Sequence, residues 1–190
     1  MRDSLRYLAL IAEGILLLVF AGILMNRISK SLEHQAYPTD YSEYIEPAAE
    51  ENGLPLSVVY AVVRQESNFD PMAESKVGAR GLMQITKETY EWVDYAGGGE
   101  DASWADMYDP ETNVNYCTWL LSYLYEEFGN WECALAAYHA GRTAVNNWLQ
   151  NPDYSSDGKT LEVIPYEETA DYVKKVLNYR QNYRRVYNMD

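Results

Sequence analysis

The chain has 190 residues, enough for one domain of ordinary size together with some additional sequence. Hydrophobic residues make up 47% and charged residues 23%, so most of the chain is predicted to fold around a core. The formal net charge is -14, with 15 basic against 29 acidic residues. A nucleic-acid binder needs clustered Lys and Arg to replace counterions, so this balance excludes nucleic acid as a partner.

The N-terminal segment is apolar. Residues 7–25 read YLALIAEGILLLVFAGILM, and one charge, Glu13, interrupts them. This length is close to what a helix needs to cross a hydrocarbon core, and two arginines precede the run. We therefore predict that residues 1–26 form a transmembrane segment or signal anchor. A small-residue site at 19–21 leaves a cleaved signal peptide, and hence a secreted protein, as the alternative.

A polar stretch follows the apolar run. Residues 27–40 contain Pro38 and show no apolar stripe of helical period, so they are predicted to be a tether. Basic residues lie on both sides of the run, Arg27 and Lys30 among them, so charge alone does not decide its orientation. Residues 41–190 are predicted to form one domain.

The domain shows helical rather than strand periodicity. A proline or a capping residue opens several of the segments, and glycines close others. The pattern predicts a flexible glycine turn at 97–99 and helices around residues 44–48, 55–67, 86–95, 109–128, 131–140 and 145–149, and from 165 onward. The expected fold class is therefore mainly α, without internal repeats.

The two cysteines, Cys117 and Cys133, invite a disulfide because an exported protein with an even number of cysteines often has one. They lie on two helices that a short turn joins, and such helices pack antiparallel. In that arrangement the two positions are offset by about 12 Å along the helices. A disulfide tolerates at most about 7 Å between Cα atoms. We expect two buried free thiols.

One carboxylate lies on an apolar helix face. Val58, Val59, Val62 and Val63 spread over one face, and Glu66 falls near its middle, whereas Tyr60 and Arg64 are predicted to point the other way. Desolvation at such a position raises a carboxyl pKa, which suits a general acid that works near neutral pH. Fraying of the helix end, with Glu66 in solvent, is the alternative, and helical geometry alone does not choose between them.

Four sequence blocks resemble a known family. In order they are RQESNFDP at 64–71, GARGLMQI at 78–85, AAYHAG at 136–141 and IPYEET at 164–169, with Tyr172-Val173 after the last. Together they resemble the catalytic domain of lytic transglycosylases of the soluble-lytic-transglycosylase type, over residues 41–187. One block is a modest signal, whereas four in the family's order are specific.

The resemblance implies a lysozyme-like domain of the α+β superfamily that acts on the MurNAc–GlcNAc β-1,4 bond of peptidoglycan. Glu66 matches the family's glutamate, which protonates the leaving oxygen. It then acts as the base for the C6 hydroxyl, which closes a 1,6-anhydro ring. This chemistry needs no second carboxylate as nucleophile, no metal and no cofactor.

The resemblance also implies roles for other residues. Ser67 is expected to support Glu66, and Tyr138 to reach toward Glu66 and the substrate. Glu168 is expected to bind substrate or to order Tyr138. The residues expected at the substrate are Ser67, Met83, Gln84, Tyr138, His139, Glu168 and Tyr172.

The chain departs from the family at two positions. His139 stands where Asn is usual, and Cys117 stands where Gly is common. An imidazole presents its donor and acceptor at different positions from those of an amide, and it can titrate. We expect a tolerated exchange at His139, with pH sensitivity as the alternative.

Two other functions remain as alternatives. A lysozyme-type hydrolase would use water in place of the C6 hydroxyl, and a non-catalytic module would only bind peptidoglycan. The joint presence of Glu66, Ser67, Gln84 and Tyr138 disfavours the module, since binding alone needs no buried acid. The anchor and the substrate together predict a single-pass protein of the cytoplasmic membrane, with its domain on the extracytoplasmic side. Its expected partners are peptidoglycan strands and the membrane.

Overall fold

The computed structural model describes residues 2–97 and 102–190, so the predicted glycine turn at 97–99 lies mostly outside the described residues. The chain divides into two compact units, Met1–Pro38 and Thr39–Asp190.

The first unit is one helix, α1, which spans Arg2–Ala36. Its part Glu13–Ala36 contains a window of 18 residues with a mean hydropathy of 1.6, and by length and composition it is long and apolar enough to cross a membrane. The residues 27–36, which carry no apolar stripe, also belong to this helix. They include strong helix formers such as Lys30, Leu32 and Ala36, and the helix ends two residues before Pro38.

The second unit is helical. Its helices are α2 (Ser42–Glu51), α3 (Leu56–Glu66), α4 (Lys87–Ala96), α5 (Pro110–Phe128), α6 (Trp131–Ala140), α7 (Arg142–Leu149) and α8 (Glu167–Tyr187). A 3-10 helix that the sequence did not predict spans Trp104–Tyr108. Within the described ranges, β pairing is limited to two isolated bridges that share Arg80. The prediction of a mainly α fold is confirmed.

Capping residues explain why the helices begin where they do. Asp109 accepts a hydrogen bond from the Thr112 amide at 3.0 Å and precedes Pro110, the first residue of α5. Asn130 caps α6 in the same way, and Gly129 ends α5 in the left-handed conformation. By contrast, α8 begins at Glu167, two residues later than the sequence predicts, and α7 begins three residues earlier than predicted.

Helix α3 lies at the centre of the domain. Every residue from Ser57 to Val63 is fully buried. The prediction that Tyr60 points away from the core is therefore wrong. Its ring stacks on Tyr183 of α8 at 5.5 Å, because α8 covers the side of α3 that an amphipathic pattern assigns to solvent. Glu66 is thus the last residue of a helix that protein surrounds on all sides.

The cysteine prediction is confirmed. Cys117 of α5 and Cys133 of α6 are both buried and both free.

Candidate active site

The carboxyl group of Glu66 lies at the C-terminal end of α3. Its Oε1 accepts a hydrogen bond of 2.7 Å from the hydroxyl of Tyr172, a residue of α8 that is only 4% exposed. Burial raises the pKa of Glu66 from 4.5 to about 7, and the hydrogen bond from Tyr172 acts in the opposite direction with a smaller effect. The side chain keeps partial exposure to solvent. Glu66 can therefore both hold and release a proton near neutral pH.

The backbone reverses direction directly after Glu66. Ser67 ends the helix, and Asn68 and Phe69 both adopt positive φ, at 50° and 67°. Two consecutive non-glycine residues in this region are uncommon, and such strain often occurs at functional sites. The Ser67 hydroxyl donates to the Leu82 carbonyl at 2.8 Å. Ser67 thus ties the end of α3 to the segment 78–85, which fits the supporting role expected of it.

The segment 78–85 is held by an asparagine that the sequence analysis did not single out. Asn113 of α5 is fully buried, accepts from the Met83 amide at 2.8 Å and donates to the Arg80 and Met107 carbonyls. A Cβ on Gly81, whose φ is 77°, would lie 2.2 Å from the Met107 oxygen, so only glycine fits there. The available signal for Asn113 was a polar residue in the first turns of α5, at helical spacing from the apolar residues Leu120 and Leu124.

Gln84 and Met83 follow in this segment. The Gln84 amide donates to the Ala73 and Gly81 carbonyls, both at 3.0 Å, and its backbone has a positive φ of 54°. Met83 is fully buried. The segment turns this side chain into the core, so the backbone of Met83 is the part of the residue that faces the site. Its carbonyl accepts a 2.8 Å hydrogen bond from the Tyr138 hydroxyl.

Tyr138 and Cys117 lie beside Glu66. The two groups lie close enough to affect each other, and the charge of Glu66 acts on both. Burial raises the pKa of the Cys117 thiol to about 12, so the thiol stays neutral at physiological pH. The exchange of a usual glycine for cysteine thus places a small neutral group behind the acid.

His139 packs on the residue that holds Glu66. Its ring stacks on Tyr172, with centroids 4.5 Å apart, and its Nδ1 lies 3.1 Å from the hydroxyl of the buried Thr169. Burial lowers the pKa of His139, and the nearby Glu168 opposes this effect. Glu168 is exposed at the start of α8. The hydroxyl of Tyr138 donates to the Met83 carbonyl rather than to Glu168. This hydrogen bond therefore does not support the expectation that Glu168 orders Tyr138.

Two cavities open beside these residues. One, of about 350 Å³, is lined by His139, Tyr166, Glu168 and their neighbours. The other, of about 470 Å³, lies between α4, α5 and α6 and reaches Tyr138 and His139. Its size falls within the range of ligand sites in proteins, about 300–1,000 Å³. A ligand in this cleft lies next to the residues that surround the acid.

A helical domain with one desolvated carboxylic acid beside a cleft is typical of proteins that cleave glycosidic bonds by acid catalysis. Residues 43–161 match the family model described as the transglycosylase SLT domain, and the chain belongs to this family. The sequence resemblance is thereby confirmed.

Named relatives agree with this membership. The soluble lytic murein transglycosylase of Salmonella typhimurium is 37% identical over 159 residues, which cover 79% of this chain and 24% of the relative. The membrane-bound lytic murein transglycosylase F of Desulfosudis oleivorans is 29% identical over 165 residues, which cover 71% of this chain and 34% of the relative.

Solved structures agree as well. The 70 kDa soluble lytic transglycosylase of Escherichia coli is similar to this chain with a TM-score of 0.72 and 36% identity, over 80% of this chain and 25% of that one. An inactive Glu→Gln mutant of the lytic transglycosylase Slt from Pseudomonas aeruginosa matches with a TM-score of 0.71 and 33% identity, over 80% of this chain and 25% of that one. The chain thus spans about a quarter of the length of these proteins.

Proposed function

We propose that this chain is a peptidoglycan lytic transglycosylase. It cleaves the MurNAc–GlcNAc β-1,4 bond and leaves a 1,6-anhydroMurNAc end. The observation that carries the proposal is the buried carboxyl of Glu66, with a pKa of about 7, bound to Tyr172 within a domain of the transglycosylase family. The names of the relatives, which are lytic murein transglycosylases, support this substrate class.

In the first step, protonated Glu66 gives its proton to the glycosidic oxygen, and the bond from this oxygen to C1 of MurNAc breaks. Desolvation keeps the acid protonated before the reaction. As the proton leaves, the Tyr172 hydroxyl donates to a carboxylate instead of a neutral acid, and hydrogen bonds to charged groups are stronger. Tyr172 thus favours the state that forms during cleavage.

In the second step, the Glu66 carboxylate takes the proton of the C6 hydroxyl, whose oxygen bonds to C1. The acid is regenerated, no water is consumed, and the ring of the anhydro sugar closes. A glutamate whose pKa lies near the working pH can perform both transfers.

The neighbouring residues position this chemistry. Ser67 fixes the end of α3 through Leu82, and the Gln84 amide fixes the segment that faces the acid. Tyr138, which donates to the Met83 carbonyl and lines the cleft, contacts the sugar there. His139 and Glu168 line the cavity of about 350 Å³ and contact the glycan strand there.

We further propose that α1 anchors the protein in the cytoplasmic membrane as a single span within residues 1–26. Residues 27–40 connect this anchor to the domain 41–190 on the side where peptidoglycan lies. The run of exposed apolar side chains on α1, such as Leu18 at 75%, supports this, because such a surface needs an apolar medium. Membrane fractionation, followed by protease treatment of intact cells, tests both the anchor and its orientation.

The decisive experiment incubates the purified full-length chain with peptidoglycan and analyses the released fragments by mass spectrometry. Products one water lighter than hydrolytic fragments are expected, and Glu66→Gln should abolish them. Fragments with reducing ends would instead identify a lysozyme-type hydrolase. Glycan binding without any product would identify a binding module, and turnover that survives in Glu66→Gln would remove this residue from the mechanism.

A further inference from the structure

Three aromatic side chains form a cluster where α4 packs on α5. The ring centroids of Trp92 and Tyr123 lie 5.1 Å apart, those of Trp92 and Trp119 5.9 Å, and those of Trp119 and Tyr123 5.6 Å. All three residues keep partial exposure to solvent. This distinguishes them from core tyrosines such as Tyr60, which is fully buried. The cluster therefore presents aromatic surface outward as well as joining two helices.

The cluster separates two cavities. Trp92 lines the cavity of about 470 Å³ that reaches Tyr138 and His139. On the other side, Trp119 and Tyr123 line a cavity of about 250 Å³ whose other lining residues are polar: Glu51, Asn52, Ser122 and Glu126. Because Trp92 contacts both other rings, an aromatic surface continues from the catalytic cleft to this second cavity.

The second cavity combines the two kinds of contact that a sugar chain uses. A pyranose ring has apolar faces of C–H groups, which match the faces of Trp and Tyr, and hydroxyls at its edge. Carboxylates such as Glu51 and Glu126 accept hydrogen bonds from hydroxyls. The side-chain oxygen of Asn52 can accept as well, whereas its amide nitrogen already donates to Ala48 and Thr118. Trp and Tyr provide this contact area at a small cost in conformational entropy. The continuity with the catalytic cleft favours the glycan strand itself as the occupant.

We propose that Trp92, Trp119 and Tyr123 form a distal glycan platform, which holds the peptidoglycan strand beyond the sugars that lie at Glu66. The inference rests on the proposed function, because that function supplies the strand. The platform makes the enzyme prefer long strands over short ones. The guanidinium of Arg142 lies 5.8 Å from the centroid of the Tyr123 ring and also pairs with Glu127, which restrains this end of the platform.

The test compares strands of two lengths, both freed of stem peptides, with the full-length chain as the enzyme. For Trp119→Ala we expect the ratio of kcat/KM on long strands to kcat/KM on a tetrasaccharide to fall about three- to tenfold, the range of one aromatic contact. Trp119→Phe, which keeps a smaller ring, should lower the ratio by less than Trp119→Ala does, by about threefold or below. Trp131→Ala is the matched control. Trp131 also stacks on a tyrosine, Tyr125, at 4.1 Å, and does not line either cavity, so the ratio should not change.

A second measurement does not require turnover or a fold that tolerates alanine. Titration of long glycan strands into the Glu66→Gln chain should quench its tryptophan fluorescence, and the additional change Trp119→Phe should weaken binding about threefold while the protein stays folded by thermal melt. Equal loss on both strand lengths, or unchanged binding in the double variant, would overturn the platform and assign the cluster to helix packing alone. Absence of product from the unmodified chain would contradict the proposed function, whereas strand binding through Trp119 would still hold.

Discussion

Replacement of Tyr172 by Phe removes one hydroxyl from the proposed site and leaves the rest of the side chain in place. The ring remains buried between α3 and α8 and keeps its stack on His139. What disappears is the 2.7 Å hydrogen bond to Glu66, which lowers the pKa of that carboxyl. Without it, burial acts unopposed, so the pKa of Glu66 must rise above about 7.

The magnitude follows from the kind of bond. A hydrogen bond to a charged group contributes about 1.5–3 kcal/mol, and 1.36 kcal/mol corresponds to one pKa unit. The pKa of Glu66 should therefore increase by about 1 to 2. Because Glu66 must be protonated in the free enzyme, kcat/KM falls as the pH rises through this pKa. In the unmodified chain the fall is expected near pH 7, and in Tyr172→Phe at a more alkaline pH.

The assay is kcat/KM for anhydro product between pH 5 and pH 9. Below the fall, Tyr172→Phe should also be slower, because the carboxylate that forms in the first step has lost its donor. The control is Tyr183→Phe, which loses a buried hydroxyl on the same helix, at a residue that packs on Tyr60 rather than on Glu66. If the fall of kcat/KM in Tyr172→Phe occurs at the same pH as in the unmodified chain, or at a lower pH, Tyr172 does not lower the pKa of Glu66 and the reasoning is refuted.

Three other changes test the same structure. Glu66 has a pKa of about 7 in the folded chain and 4.5 in the unfolded chain, so its ionisation lowers the free energy of unfolding as the pH rises between these values. Glu66→Gln should therefore gain up to about 3 kcal/mol over the unmodified chain at a pH above 7, relative to their difference at pH 4. Thermal melts of both proteins at both pH values check this, and a melting difference that is the same at the two pH values would contradict it. Gly78→Ala should cost roughly 1–2 kcal/mol because the residue has a positive φ. Gly81→Ala should destabilise the domain by more, because the added Cβ would also lie against the Met107 carbonyl. Equal losses of unfolding free energy in urea would show that the contact relaxes. His139→Asn should leave kcat/KM at pH 7 within about twofold, because burial lowers the pKa of this imidazole and keeps it neutral there. A difference between His139→Asn and the unmodified chain should appear only in acid, and a large loss at pH 7 would assign His139 a direct role.

The helices and the acid were largely accessible from the sequence, because their signals are local. Asp109-Pro110 and Gly129-Asn130 mark helix ends by their own chemistry, and α5 and α6 begin and end there. Glu66 became a candidate because its helix is apolar, and the four sequence blocks that resemble the family, rather than helical geometry, decided in its favour. A helical period of 3.6 residues per turn could not show that α8 covers the remaining side of α3. The prediction that Tyr60 points away from the core was therefore wrong. A buried helix has no solvent-facing stripe from which orientation can be read.

The partners within the site were less accessible, because they come together from distant parts of the chain. Tyr172 lies 106 residues from Glu66, and Asn113 lies 30 residues from the Met83 amide that it holds. Met83 was expected at the sugar because of its motif, yet its side chain is in the core and only its carbonyl serves the site. A motif identifies which positions matter, whereas the local φ and ψ angles decide whether the side chain or the backbone acts.

The length of α1 has a mechanical consequence. In the anchoring proposed above, residues 7–25 lie in the bilayer, and about ten further residues of the same helix continue to Ala36. At 1.5 Å per residue these form a rod of about 15 Å outside the hydrocarbon core, where a flexible coil of equal length would have no defined height. A helix resists compression, so under the anchoring proposed above this stretch keeps a defined length between the bilayer and Pro38. Helix-breaking glycines placed in it would remove that defined length.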